Sequence, residues 1–257
     1  MKQADIRLTI LGSGTCIPTP DRGTPGILIQ IEDKNLLLDG GSGTLNRLLR
    51  ADVTFNDLDY LLYTHRHADH TAELIPILQA RRVRSYTQPS PVLPVYGPKG
   101  FSLFMHFLAE AYGGWILDKD LVEIHELDAQ TLDMPFGSIR TDKMKHSSQS
   151  IGYRITVSGK SIVYSGDTGY CPEIVGLAEK SDILILECSF PDDRKMEGHL
   201  TPSLAGRIAS EAGCKKLVLT HMYPLFKDID IASICGEKYD GEVIVSHDML
   251  QLTLDGP

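Results

Sequence analysis

The sequence predicts an α/β fold, and three observations carry that reading. Strand-length apolar runs alternate with helix-length amphipathic segments along the chain. Residues 182–186 are almost wholly apolar, which marks a strand buried on both faces. A dense polar motif, Thr64-His65-Arg66-His67-Ala68-Asp69-His70, falls between an apolar strand at residues 58–63 and a helix at residues 71–82. Side chains on such a strand-to-helix loop can converge on one point.

Taken in order, residues 6–11 form a strand with Ile6, Leu8 and Ile10 on one face. It runs into Gly12-Ser13-Gly14-Thr15 and the segment Pro18-Thr19-Pro20-Asp21-Arg22-Gly23, a tight turn or a loop folding over a site. Position 17 is Ile, so the dinucleotide pattern Gly-x-Gly-x-x-Gly is absent. Residues 26–31 and 36–38 form a hairpin across a polar turn. The second strand ends in Asp39-Gly40-Gly41, ahead of a helix at residues 44–50. Asp39 either supports a site from behind or caps that helix. In the helix at 71–82, Pro76 predicts a kink or a late start. Arg81-Arg82-Val83-Arg84 reads as its solvated end, where cations suit the helix dipole.

Val95-Tyr96 leads through Gly97-Pro98-Lys99-Gly100 into a helix at residues 101–111. Tyr112 to Lys119 holds Gly113-Gly114 and the single Trp115, and predicts a mobile surface segment, a lid or a dimer contact. Strands follow at residues 122–127, 138–144 and 150–157, with a hairpin through Ser158-Gly159-Lys160 into residues 161–164. Residues 172–180 read as a helix. Thr201-Pro202 starts another as N-cap and first residue, and Gly213 ends it. Residues 217–219 and 242–245 close the set of strands. No repeat, low-complexity tract or linker interrupts the chain, which reads as one domain over residues 1–257.

Composition narrows the function classes. With 257 residues, 42% of them hydrophobic, the chain can bury a sizeable core. A net charge of −9 argues against a broad nucleic-acid surface. Five scattered cysteines without a Cys-x-x-Cys pair suit a reduced, intracellular protein. The start, Met1-Lys2-Gln3-Ala4-Asp5-Ile6-Arg7, has no apolar leader, and no apolar run approaches bilayer-spanning length. Cytoplasm is the expected location, with no membrane partner.

The chemistry concentrates in the histidine motif. Three imidazoles and a carboxylate within six positions are the donors a Zn²⁺-like cation prefers. Further donors stand at other strand ends: His146 after residues 138–144, Asp167 in Gly166-Asp167-Thr168-Gly169, and His221 after residues 217–219. Together they make seven ligands, His65, His67, Asp69, His70, His146, Asp167 and His221, with Asp167 able to bridge. That number suits two metals with an open position between them. Zn²⁺ is expected, and Mn²⁺ or Fe²⁺ would accept the same donors. His106, His125 and His247 are read as ordinary surface or packing residues.

These motifs, together with Leu37-Leu38-Asp39-Gly40-Gly41-Ser42-Gly43, Tyr164-Ser165-Gly166-Asp167-Thr168, Leu186-Glu187-Cys188-Ser189-Phe190 and Leu219-Thr220-His221, resemble the metallo-β-lactamase fold superfamily. The likeness covers nearly the whole chain and is closest to the ribonuclease Z and phosphodiesterase branch. It implies an αββα four-layer sandwich with a dinuclear site at one edge. It assigns His65, His67 and His146 to one metal and Asp69, His70 and His221 to the other, with Asp167 bridging. It also implies that His199 donates a proton to the leaving group, that Glu187 orients His199, and that Asp69 holds the proton of a metal-bridging hydroxide. A homodimer is expected from the resemblance alone.

One departure from that branch bears on substrate. Ribonuclease Z carries a long tRNA-gripping arm between the equivalents of His146 and Asp167, and here a tight hairpin fills that interval. The leading expectation is therefore a phosphodiesterase acting on a small phosphodiester or an RNA end. The alternatives are ribonuclease Z itself, an aryl sulfatase or lactonase, and a non-catalytic ligand-binding effector of the same fold.

Overall fold

The computed structural model describes residues 5–254. The leaderless reading of residues 1–4 lies outside them. Two seven-stranded sheets face each other. The first is built from β1 (Ile6–Gly12), β2 (Gly26–Ile31), β3 (Lys34–Leu38), β4 (Tyr60–Leu62), β5 (Leu93–Pro98) and β6 (Val122–Leu127), with β14 (Leu250–Leu254) added beside β1. The second runs in chain order through β7 (Gln130–Met134), β8 (Gly137–Lys143), β9 (Ile151–Val157), β10 (Lys160–Tyr164), β11 (Ile183–Glu187), β12 (Lys216–Thr220) and β13 (Glu242–Val245).

The two sheets repeat one plan. In each, four strands pair antiparallel and the last four pair parallel, the fourth strand being shared. Parallel neighbours need crossovers, and helices supply them. These are α1 (Thr44–Arg50), α2 (Ala68–Thr71), α3 (Leu74–Ser85) and α4 (Phe101–Tyr112) on the first sheet. On the second they are α5 (Pro172–Leu177), α6 (Pro202–Ala212) and α7 (Ile231–Gly236).

Strand alternation explains the four layers. Ile27, Ile29, Leu36 and Leu38 point inward and meet Ile155, Ile162, Ile183 and Ile185 of the other sheet. Leu28 and Leu37 point outward onto Leu48, Leu74, Ile77 and Phe101 of the helices. Leu184 and Leu186 do the same against Ile174, Ala205 and Ile208. The αββα expectation and the family fold are thus met. Among the described residues no helix is long and apolar enough to cross a membrane.

Several local readings change. The helix expected at residues 71–82 begins only at Leu74, as α3, after the short α2; Pro76 lies in its first turn, the late start expected of it, where its missing N–H costs nothing. The strand expected at 58–63 is regular only over β4, and the helix at 172–180 stops with α5. Arg81 is not solvated. It is 1% exposed, and its guanidinium donates to the carbonyls of Phe55 (3.1 Å) and Pro91 (2.6 Å), tying the loop before β4 to the loop before β5. The segment at residues 112–119 is packed down by a 3-10 turn, Gly114–Leu117, with Ile116 buried and Arg82 lying over the Trp115 ring. His125 stacks on Tyr96, a packing role. Between His146 and Asp167 only β9, β10 and the turn joining them intervene.

Candidate metal centre

The seven predicted ligands come from four strand ends and meet at one edge of the sandwich. His65 and His67 lie between β4 and α2, while Asp69 and His70 ride on α2 itself. His146 follows β8, Asp167 follows β10 and His221 follows β12. Parallel strands put such termini side by side, so residues far apart in sequence converge there. Two glycines permit the close approach. A Cβ at Gly41 would sit 2.0 Å from the Asp69 carbonyl oxygen, and one at Gly166 would sit 2.6 Å from the Thr64 side chain.

Two donor clusters divide the seven ligands between them, and a third grouping joins Asp167 and His221 to His199. Of the two, one contains His65, His67, His146 and Asp167; the other contains Asp69, His70 and His221. Asp167 faces both. Its Oδ2 lies 3.9 Å from His65 Nε2 and 3.7 Å from His146 Nε2. Its Oδ1 lies 3.3 Å from His70 Nε2 and 3.3 Å from His221 Nε2. Asp69 Oδ2 closes the second cluster at 3.5 Å from His221 Nε2.

Two buried carboxylates behind the site fix the imidazole tautomers. Asp39 accepts from His70 Nδ1 (2.8 Å), the Tyr164 hydroxyl (2.9 Å), the Thr64 N–H (2.8 Å) and the Thr64 hydroxyl (2.9 Å). The Thr64 hydroxyl has spent its proton on Asp39, so it can only accept from His65 Nδ1, 3.0 Å away. Glu187 accepts from His199 Nδ1 (2.9 Å) and from the Ser189 hydroxyl. Ser189 in turn accepts from His221 Nδ1 at 3.0 Å. His146 Nδ1 donates to the Gly198 carbonyl (3.1 Å). In His65, His70, His146 and His221, Nδ1 is thereby committed behind the site and Nε2 is the atom turned toward its centre.

This electron-rich focus is what a cation fits. His65 Nε2 and His146 Nε2 stand 3.0 and 3.1 Å from the same atom, His67 Nδ1, where one proton could satisfy only one of them. Among the described residues, Asp167 Oδ1 is buried without a hydrogen-bond partner. Lone pairs this close, together with an orphaned buried carboxylate oxygen, are costly unless a shared positive charge sits among them. The donor set of imidazoles and carboxylates is the one Zn²⁺, Mn²⁺ and Fe²⁺ accept.

The electrostatics differ between the clusters. Burial, helped by the neighbouring His70, holds His65 well below the ordinary imidazole range. Burial likewise lowers His146, against the pull of Asp167. Burial opposes charge on His70 too, yet Asp167 and Asp39 outweigh it and raise its pKa well above the usual value. Asp69 and Asp167 are both depressed, because the surrounding histidines overcome the cost of burial. His199 is raised: burial disfavours its charge, but the hydrogen bond and charge of Glu187 prevail. His221 is held at φ 56°, a left-handed conformation costing on the order of 1–2 kcal/mol for a residue with a Cβ.

Residues 34–222 match the family described as the beta-lactamase superfamily domain. The chain belongs to that superfamily. Within it, the uncharacterized protein ML1173 of Mycobacterium leprae is 34% identical over 93% of this chain and 85% of its own length. The ribonuclease Z of Streptomyces avermitilis is 28% identical over 95% of this chain and 96% of its own. Among solved structures, the metallo-beta-lactamase fold protein YhfI from Bacillus subtilis superposes with a TM-score of 0.85 at 27% identity, covering 98% of this chain and 100% of that one. The superfamily fold implies divalent-metal binding, and this chain is a metallo-hydrolase-fold protein related to ribonuclease Z.

All the predicted site residues lie at this centre. The ambiguity at Asp39 is resolved by its contacts: α1 has no side-chain cap, and the carboxylate serves His70 and Thr64. Thr64 and Ser189, the hydroxyls that relay each carboxylate to a second imidazole, were not singled out from sequence. Their one legible signal is adjacency, since Thr64 precedes His65 and Ser189 lies two residues past Glu187.

Proposed function

We propose that the chain is a phosphodiesterase with two divalent metal ions, acting on a small phosphodiester or an RNA end. The observation that carries this reading is Asp167, one oxygen turned to each donor cluster, with the His199–Glu187 pair beside it. His65, His67 and His146 would hold one ion, Asp69, His70 and His221 the other, and Asp167 both. When bound, such ions supply Lewis acidity, lowering the pKa of water and offsetting charge on phosphoryl oxygens.

The chain's own groups handle the protons. Asp69 stays ionised and can accept the proton of the attacking water at Oδ2. His199, its ring 4.8 Å from that of His146, keeps Nδ1–H on Glu187 and carries its second proton on Nε2 for the leaving alkoxide. The ligand set brings two negative charges, from Asp69 and Asp167. Two dications over it leave a net positive seat for an anionic diester.

The likeness to a ribonuclease Z supports a phosphodiester substrate, because the bond in RNA is one. The short β9–β10 hairpin argues against tRNA 3′ processing as the main role. The test is one purified, metal-loaded sample assayed against bis(p-nitrophenyl) phosphate, pre-tRNA, nitrophenyl sulfate and a lactone. Cleavage of the diester above all others is expected. Preference for sulfate or lactone would overturn the phosphodiesterase reading, and efficient cleavage of pre-tRNA would move it to ribonuclease Z. A homodimer is part of the proposal, supported by Leu103 and Phe107, 54% and 65% exposed one turn apart on α4. A sedimentation mass of one chain would refute it.

A further inference from the structure

Beside the metal centre lies a groove of about 360 Å³ that the chemistry above does not use. One wall is the loop at residues 18–23 and the other is the segment at residues 222–231. Both walls are tied to the same residue. Arg22 donates to the Ser13 hydroxyl (2.8 Å) and to the Ser246 carbonyl (2.7 Å), while the Met222 N–H donates to the Ser13 carbonyl (3.1 Å). Asp248 locks the loop further by accepting from the Gly23 N–H at 2.9 Å. The groove is therefore held open by the fold, as small-ligand sites usually are.

Tyr223 joins the groove to the metal centre. Its ring lines the groove and also stands 6.1 Å from the ring of the ligand His221. It stacks on Phe190 with centroids 4.8 Å apart and planes 22° from parallel, and Phe190 in turn packs 5.4 Å from His199. An aromatic surface thus runs from the proton donor past the metal ligands into the groove. Pro224 and Phe226 continue it with apolar faces. Thr19, whose Oγ accepts from the Arg22 N–H, donates to no partner among the described residues, and exposed Asp21 and Lys227 line the same groove. Flat apolar faces with a few polar groups at the edge suit a planar ring that carries polar atoms on its rim.

We propose that this groove binds the base of a nucleoside whose phosphate lies at the metal centre. The substrate class is then a nucleoside phosphodiester, the sugar lying between the metal centre and the Tyr223 ring. The inference rests on the phosphodiesterase reading and narrows it.

The test is calorimetric binding to the metal-loaded protein, with metal content measured for every variant. The ligands are inorganic phosphate, ribose 5-phosphate, adenosine 5′-monophosphate and a short oligoribonucleotide ending in the same phosphate. The base is expected to tighten binding about 5- to 150-fold over ribose 5-phosphate, the range for stacking of one base on an aromatic side chain. Tyr223→Leu should bring that ratio near one. So should Thr19→Trp, which fills the groove from the loop side, away from the metal ligands. A ratio near one in the wild-type protein, or a ratio that survives both substitutions, overturns the groove. If phosphate binds and the base adds nothing, only this inference falls; if phosphate itself does not bind, the phosphodiesterase reading falls and takes the groove with it. Once the base ratio is met and lost in both variants, which supports the groove, equal affinity for the mononucleotide and the oligonucleotide identifies a small ester as the substrate, and tighter binding of the oligonucleotide identifies an RNA end.

Discussion

Asp39→Asn is a nearly isosteric change that should weaken metal binding from behind the ligands. Asp39 Oδ1 accepts from the Thr64 N–H, and Oδ2 accepts from His70 Nδ1 and the Tyr164 hydroxyl. An amide has only one oxygen. The backbone N–H of Thr64 cannot reverse its role, so the amide oxygen stays with it and the –NH₂ takes the place of Oδ2. Tyr164 can turn its hydroxyl to accept. His70 can accept only by moving its proton from Nδ1 to Nε2, and Nε2 is the atom turned to Asp167 and His221. A proton there blocks ligation.

Changes to the partners of metal-bound histidines typically cost about 10- to 100-fold in metal affinity, or about 1.4–2.8 kcal/mol. The mispaired buried donor should also cost about 1–3 kcal/mol of stability. For a domain of this size that is a fall of about 2–12 °C in the melting temperature. Chelator competition measures the affinity and calorimetric melting measures the stability. Retention of both ions at wild-type affinity would refute the tautomer argument, even if the protein melted lower.

Other consequences follow from the same geometry. His199→Ala should slow diesters with alkoxide leaving groups by about 10²- to 10⁴-fold and nitrophenolate esters far less, because only the poor leaving group needs the proton; equal losses on both would reject the donor role. The two donor clusters should respond differently to pH. His65 and His146 are held neutral and ready to ligate, whereas His70 is held protonated and must lose a proton first. Metal binding by Asp69, His70 and His221 should release about one proton near neutral pH and weaken as pH falls, with the other cluster much less affected. Calorimetry in buffers of different ionisation enthalpy reads this directly, and the same proton count for both ions would contradict it.

The metal donors were legible because four of them are crowded into six positions and the other three stand at strand ends. Convergence could be inferred from the parallel topology even though the distances could not. Asp39 was ambiguous because a carboxylate between a strand and a helix looks the same whether it caps the helix or backs a site; only its burial against His70 and Tyr164 separates the two. Arg81 was misread because three basic residues near a helix end resemble a solvated terminus, and nothing local reveals the carbonyls of Phe55 and Pro91 gathered over it. β14 had a signal, the alternation of Leu250, Leu252 and Leu254. Its partner is β1, some 240 positions away in sequence, and the antiparallel register between them is a tertiary fact. β7 carried a shorter version of the same signal, Leu132 alternating with Met134, in a strand with no fully buried residue.

The central claim is a two-metal hydrolytic centre, and a metal titration of the stripped protein tests it most directly. Ions should be added stepwise while bound metal and hydrolysis of bis(p-nitrophenyl) phosphate are followed together. The account predicts saturation at about two ions per chain, with activity rising in step with the second. Saturation at one ion with full activity, or no hydrolysis at two, would contradict it.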